Sequence, residues 1–138
     1  MIRESCIFCK IAIKDYPVSS IYEDADVIAF LDNRPASEGH TLIIPKRHAE
    51  TIYDLSDKEI AQLFHTVKKV AVAIKKAIKP EGISIIQRNG AAAGQHIPHF
   101  HVHVIPRYSG QRLLSMEELQ EENKERLDEV ARKLKLHF

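Results

Sequence analysis

The sequence predicts an α+β fold, with a mostly antiparallel sheet of five strands and two main helices. Three observations predict it. Short runs rich in Ile, Val and aromatic residues come as a block in the first third of the chain. A period of 3.6 residues then takes over from Ser56. Two more strand-like runs follow, and then a second helical stretch. Strands in a block, a helix, two strands and a helix do not make the alternating order of a doubly wound parallel sheet.

The elements follow in chain order. "CIFCKIAIKD" spaces Ile7, Ile11 and Ile13 loosely and reads as a short helix or turn. "SIYED", "DVIAFLD" and "HTLIIPK" read as strands of a meander, the last reached through the turn-like "NRPASEG". From Ser56 onward, Ile60, Leu63, Phe64, Val67, Val70, Ala71, Ile74, Ala77 and Ile78 line one face of a long helix. Ser56 and Glu59 form a capping box at its start, and Pro80 and Gly82 close it. "GISIIQR" is a fourth strand, "NGAAAGQ" a loop of small residues and "HFHVHVIPR" a fifth strand. Pro98 and Pro106 bracket that last strand, which suits an edge or terminal position. Ser115 with Glu118 predicts the start of a final helix with Met116, Leu119, Leu127, Val130, Ala131 and Leu134 on one side. The apolar residue due near Asn123 is missing, so that face is thinner.

With 138 residues, 44% hydrophobic and 28% charged, the chain reads as one globular domain over residues 1–138. A formal net charge of +1 and no long run of one sign give no reason to expect nucleic acid or an anionic membrane as partner. No stretch is apolar for the length of a bilayer, and "MIRESCIFCKIAIKD" lacks the apolar core of a secretory leader. A cytoplasmic protein is the expectation. In a reducing compartment the C-x-x-C of Cys6 and Cys9 is a metal or redox pair rather than a structural disulfide.

The densest chemistry lies in "AAAGQHIPHFHVHVIPR". Alternate side chains of a strand share a face, so His99, His101 and His103 project together while Phe100, Val102 and Val104 turn toward the core. Two chemistries fit such a row. The imidazoles can ligate a catalytic metal. Alternatively one is a nucleophile whose neighbours set its tautomer and charge. The loop just ahead favours the second, because small residues let backbone N–H groups approach an anion. An imidazole nucleophile beside an anion-binding loop suggests attack on phosphorus.

"GQHIPHFHVHVIPR" resembles the signature of the histidine triad family, and "IFCKIAIKDYPVSSIYEDADVIAFLD" and "GHTLIIPKRH" stand in that family's order and spacing. The likeness is closest to its Hint-like branch, with an N-terminal C-x-x-C. The resemblance implies a five-stranded antiparallel sheet with two helices, a homodimer, and a hydrolase or transferase that cleaves a purine nucleotide derivative at the α-phosphate through a nucleotidyl-histidine. A phosphoramidate or a dinucleoside polyphosphate is the expected kind of substrate, and a nucleotide-binding regulatory module with little turnover is the alternative. His101 matches the nucleophile, with His99 and His103 beside it. Gly94 and Gln95 match the phosphate loop. Ile7, Phe8, Ile11, Phe30 and Leu31 match the base slot, and Asp32 the acid that takes the ribose hydroxyls. His40 matches a histidine that supports the triad.

Two positions depart from the family pattern. His96 stands where a Ser or Thr often touches phosphate, and Arg88, just before Asn89, where Asn or Gln is common. Either Arg88 clamps a more anionic substrate or Asn89 takes over the role. The resemblance also implies two partners for the cysteine pair, so that Cys6, Cys9, His48 and His99 would hold a structural zinc.

Overall fold

The computed structural model describes residues 3–138, so Met1 and Ile2, the first two residues of the stretch read as lacking a leader's apolar core, lie outside the described residues. After a short helix α1 (Ile7–Ala12), three strands run as a meander, β1 (Ser20–Glu23), β2 (Val27–Leu31) and β3 (Thr41–Pro45). The long helix α2 (Asp57–Ala77) follows, then β4 (Gly82–Gln87), β5 (Val102–Arg107) and the last helix α3 (Lys124–Lys135). The five strands form one antiparallel sheet in the order β1-β2-β3-β5-β4.

The period of two in the strands sorts side chains to two cores. Val27, Ala29, Leu31, Ile43, Val102 and Val104 pack with Leu63, Val67, Val70 and Ile74 of α2 and with Leu127, Val130 and Leu134 of α3. Ile28, Phe30, Leu42 and Ile44 point the other way and pack with Cys6, Phe8, Cys9 and Ile11. That is why β2 and β3 read as unbroken apolar runs: both faces are covered. Each such Ile, Leu or Val withdrawn from water contributes about 1.5–3 kcal/mol before chain entropy is counted. His103 pairs with Leu42 across β3 and β5, so it belongs to the face that carries α1.

Helix α2 starts where the sequence places it. The Ser56 hydroxyl accepts from the Glu59 N–H at 3.1 Å and the Glu59 carboxylate accepts from the Ser56 N–H at 3.0 Å, an arrangement that contributes about 1 kcal/mol. Gly39, at φ +93°, turns the chain into β3, and a Cβ there would run into Ile78 at the end of α2.

Two expectations are corrected. Ser115 does bond Glu118 as a cap, but only one 3-10 turn follows, Met116–Glu118, and the helix begins at Lys124 with Asn123 as its cap, accepting from the Arg126 N–H at 2.8 Å. The missing apolar residue near Asn123 is the physical reason, since a helix with no face to bury there gains nothing by continuing. The side chain of Met116 lies outside what the structure describes. The second correction concerns β5, which begins at Val102 and lies between β3 and β4 rather than at an edge. Its ladder with β3 ends at Val104, so Pro106 has no donor to supply on that side, and its carbonyl accepts from Ser37 Oγ at 2.6 Å.

Candidate active site

His99, His101 and His103 are all buried, with Phe100, Val102 and Val104 in the core behind them. His99 and His101 precede the strand proper, held by a bond from the Phe100 N–H to the Ala49 carbonyl at 2.6 Å. The Phe8 ring from α1 stands edge-on to both, with centroids 5.8 and 5.2 Å away.

Backbone groups fix the tautomer of each imidazole. The His99 carbonyl can only accept, so His101 Nδ1, at 2.7 Å, carries the hydrogen and Nε2 keeps its lone pair. The Pro45 carbonyl likewise takes the Nε2–H of His99 at 2.8 Å, leaving Nδ1 as acceptor. The third case runs through His40. Its Nδ1 accepts from the Ala36 N–H at 2.9 Å, so its hydrogen is on Nε2, 2.9 Å from His103 Nδ1. His103 therefore carries its own hydrogen on Nε2. Down the row, proton, lone pair and proton stand on Nε2.

Charge follows burial. Desolvation pushes His40 and His103 down to about 3 and His99 to about 4, and the Arg107 charge adds to the effect on His40. His101 is also lowered, by burial first and then by the charges of Arg88 and His96, against the bond to the His99 carbonyl. All are neutral imidazoles at pH 7. Asp32 Oδ2 lies 3.5 Å from His40 Nε2, an ion-pair distance, but burial raises the Asp32 carboxyl while it lowers His40. Both moves oppose charge separation, so we read a polar contact secondary to the shorter His40–His103 bond.

His101 and His103 open into a cavity of about 680 Å³. Its apolar wall is Ile7, Phe8, Ile11, Phe30, Leu31 and Leu42. Asp32 lines it too, with Oδ1 accepting from the Arg34 N–H at 3.0 Å, as do Arg88, Gly94 and His96. Asn89 and Gln95 do not. Asn89 exchanges two bonds with the Gln87 amide and takes the Ile52 N–H at 2.7 Å. Gln95 spans the small-residue loop, accepting from the Gly90 N–H at 2.7 Å and donating to the carbonyls of Glu50 and Ile97. The Gly94 N–H is spent on the Ala91 carbonyl at 3.0 Å. These three brace the loop, and the residues whose side chains face the cavity are the two departures, Arg88 and His96.

The structure adds a wall that the sequence does not reveal. Glu117, in the 3-10 turn, and Leu119 and Glu122, between that turn and α3, also line the cavity. Arg34 Nη2 donates to the Leu119 carbonyl at 2.6 Å, and the Glu122 N–H to the Asn33 carbonyl at 2.8 Å, strapping the segment beside Asp32. The only hint in the sequence is the apolar gap at Asn123, which ends the case for a helix without saying where the chain goes.

Behind the triad, Cys6, Cys9, His48 and His99 bring four ligand atoms within 4.8 Å of one another, all buried. Cys6 Sγ is 3.3 Å and Cys9 Sγ 3.6 Å from His99 Nδ1, and Cys9 Sγ is 3.2 Å from His48 Nδ1. Edges of a tetrahedral zinc site with sulfur and nitrogen ligands run roughly 3.3–3.8 Å, so the donor set fits that ion. Two sulfurs also converge on the one lone pair of His99, more than a thiol hydrogen bond can use. His48 Nε2 is buried with no partner among the described residues.

A family model described as HIT domain matches residues 14–110. "Protein hit" of Bacillus subtilis is 48% identical over 105 residues, which is 76% of this chain and 72% of that one. The adenosine 5′-monophosphoramidase hnt1 of Schizosaccharomyces pombe is 47% identical over 103 residues, 75% of this chain and 74% of its own. Among solved structures, a Hit-like protein of Bartonella henselae superposes with a TM-score of 0.92 at 36% identity, over 99% of this chain and 98% of the other. A zinc-bound histidine triad family protein of Mycobacterium smegmatis gives 0.84 at 34% identity, over 96% and 92%.

Proposed function

This chain belongs to the HIT family, and from that premise we propose that it is an enzyme that cleaves a purine nucleotide derivative at its α-phosphate, with His101 as the nucleophile. The observation that carries the reading is the tautomer of His101. A neutral imidazole whose Nδ1–H is held by the His99 carbonyl offers its Nε2 lone pair to the cavity. Attack forms an Nε2–P bond as the leaving group departs, and the cation that develops is stabilised through Nδ1–H. His103, whose hydrogen is on Nε2, donates to a phosphate oxygen. Water then takes phosphorus from Nε2 and releases the nucleoside monophosphate.

In this reading the base lies in the slot of Ile7, Phe8, Ile11, Phe30 and Leu31, and Asp32 accepts the ribose hydroxyls with the oxygen lone pairs that Arg34 leaves free. Asn89, Gly94 and Gln95 shape the phosphate loop instead of touching phosphate. The yeast relative named as an adenosine 5′-monophosphoramidase supports the substrate class. Cys6, Cys9, His48 and His99 would hold zinc with four protein ligands, and its chemistry there is structural, because a closed site has no position for water. The chain pairs into a homodimer that covers the open edge at β4, where Ile85 is 50% exposed. No helix among the described residues is long and apolar enough to cross a membrane.

A panel of nucleoside phosphoramidates, dinucleoside polyphosphates and adenylylated conjugates, with products separated by chromatography, tests the activity. Release of nucleoside monophosphate is expected. Tight nucleotide binding with no turnover of any member would point to a regulatory module instead.

A further inference from the structure

Arg88 leaves β4 just ahead of the small-residue loop, and its half-buried side chain lies along that loop in the cavity wall. A Cβ on Gly94 would sit 3.0 Å from Arg88 Cδ and 3.2 Å from Arg88 Nε. Glycine at 94, with φ +88°, thus gives the guanidinium room to lie against the loop. Among the described residues that guanidinium has no ion pair and no hydrogen-bond acceptor, and the Arg88 carbonyl accepts from Gln87 Nε2. Asn89 is turned away and tied to Gln87 and Ile52. His96 lines the same wall, as do His101 and His103. An unpaired cation beside neutral imidazoles is a receptor for an anion.

The leaving group decides what such a cation is for. An amine must gain a proton as its P–N bond breaks. A guanidinium cannot give one up. His103, held down to about 3 by burial first, is not an imidazolium at neutral pH and is a poor acid. A phosphate leaving group is different. It keeps the electron pair of the breaking P–O bond, needs no proton, and needs a countercharge.

Building on the function proposed above, we infer that Arg88, with His96 beside it, is a specificity-determining residue that holds a leaving group carrying its own negative charge, so that nucleoside 5′-phosphoanhydrides are cleaved in preference to nucleoside phosphoramidates. In the first step the Nε2–Pα bond forms, the bond from Pα to the leaving oxygen breaks, and the charge left on that oxygen is met by Arg88. In the second, water gives its oxygen to phosphorus as the P–Nε2 bond breaks, and the released proton passes to solvent.

The test has two arms. The first compares kcat/KM for a diadenosine polyphosphate and for adenosine 5′-phosphoramidate in the wild type, Arg88→Gln and Arg88→Lys, each checked for an unchanged melting profile. The preference for the anhydride should fall about tenfold in Arg88→Gln and be partly kept in Arg88→Lys. An unaltered ratio in Arg88→Gln overturns the inference. The second arm needs no turnover. In a His101→Asn background, calorimetry should find ADP bound about fivefold or more tighter than AMP, an advantage that adding Arg88→Gln removes. Equal affinity for AMP and ADP overturns it. A wild type that cleaves nothing yet keeps the ADP advantage sinks His101 as nucleophile and supports the anion subsite.

Discussion

His40 Nε2 lies 2.9 Å from His103 Nδ1, and the Ala36 N–H on the far side of His40 fixes which of the two nitrogens carries the hydrogen. One backbone amide therefore determines, through two rings, that His103 presents an N–H to the cavity. Replacing His40 by Gln or Phe removes that constraint and lets His103 adopt the other tautomer. We expect kcat to fall about tenfold to a hundredfold in His40→Phe, with substrate affinity less affected. Steady-state kinetics on a variant that still melts cooperatively checks this, and an unchanged kcat would show that His103 needs no orienting partner.

The same pair makes the protein sensitive to acid. Burial holds His40 and His103 near 3 in the folded chain, whereas the unfolded chain titrates near 6.5. Between about 3 and 6.5 the unfolded state binds protons that the native state refuses, so stability is full above 6.5 and is lost as pH falls. At pH 5 the loss is on the order of 2 kcal/mol per histidine. Asp32, raised by burial, works in the opposite sense above its ordinary 3.8. Urea midpoints at pH 7 and pH 5 should show the drop, and His40→Gln should flatten it.

Much of this arrangement can be read from the chain, and what cannot has a common cause. The Ser56–Glu59 box, the apolar face of α2 and the alternation of His99, His101 and His103 against Phe100, Val102 and Val104 are local patterns, and the molecule keeps them. The place of β5 inside the sheet depends on pairing with Thr41–Ile43 some sixty residues away, which no local period records. Asn89 and Gln95 have the right chemistry for phosphate, but Gln87, Ile52, Glu50 and Gly90 claim their hydrogen bonds. Leu119 reads as a helix position and instead closes the cavity, because Arg34 and Asn33 capture the chain before α3 begins. Charge departures were legible as departures; that the Arg88 guanidinium has no partner among the described residues was not.

If Cys6, Cys9, His48 and His99 hold zinc as proposed, its loss should cost stability more than chemistry. Cys6→Ser with Cys9→Ser, or chelation, is expected to lower the Tm by about 10 °C and to lower activity only in part, through loosening of α1 and of Phe8 against His99 and His101. Elemental analysis with thermal melts checks it. A metal-free protein that keeps its Tm but has no turnover, rescued by zinc, would assign the metal to the reaction.

The proposed pairing through the β4 edge gives a further expectation. The chain should sediment as a dimer at micromolar concentration, and Ile85→Glu should shift it toward monomer while leaving the secondary structure intact. A wild-type monomer at that concentration, or a dimer indifferent to Ile85→Glu, would place the interface elsewhere or remove it.

The stereochemical course at the α-phosphorus bears on His101 more directly than any substitution. A substrate made chiral at that phosphorus with oxygen isotopes or sulfur passes through two in-line displacements if His101 carries the nucleotide, and each inverts the centre. Net retention in the released nucleoside monophosphate is the expected result. Net inversion would mean that water attacks phosphorus in a single step, and would contradict a nucleotidyl-histidine on His101.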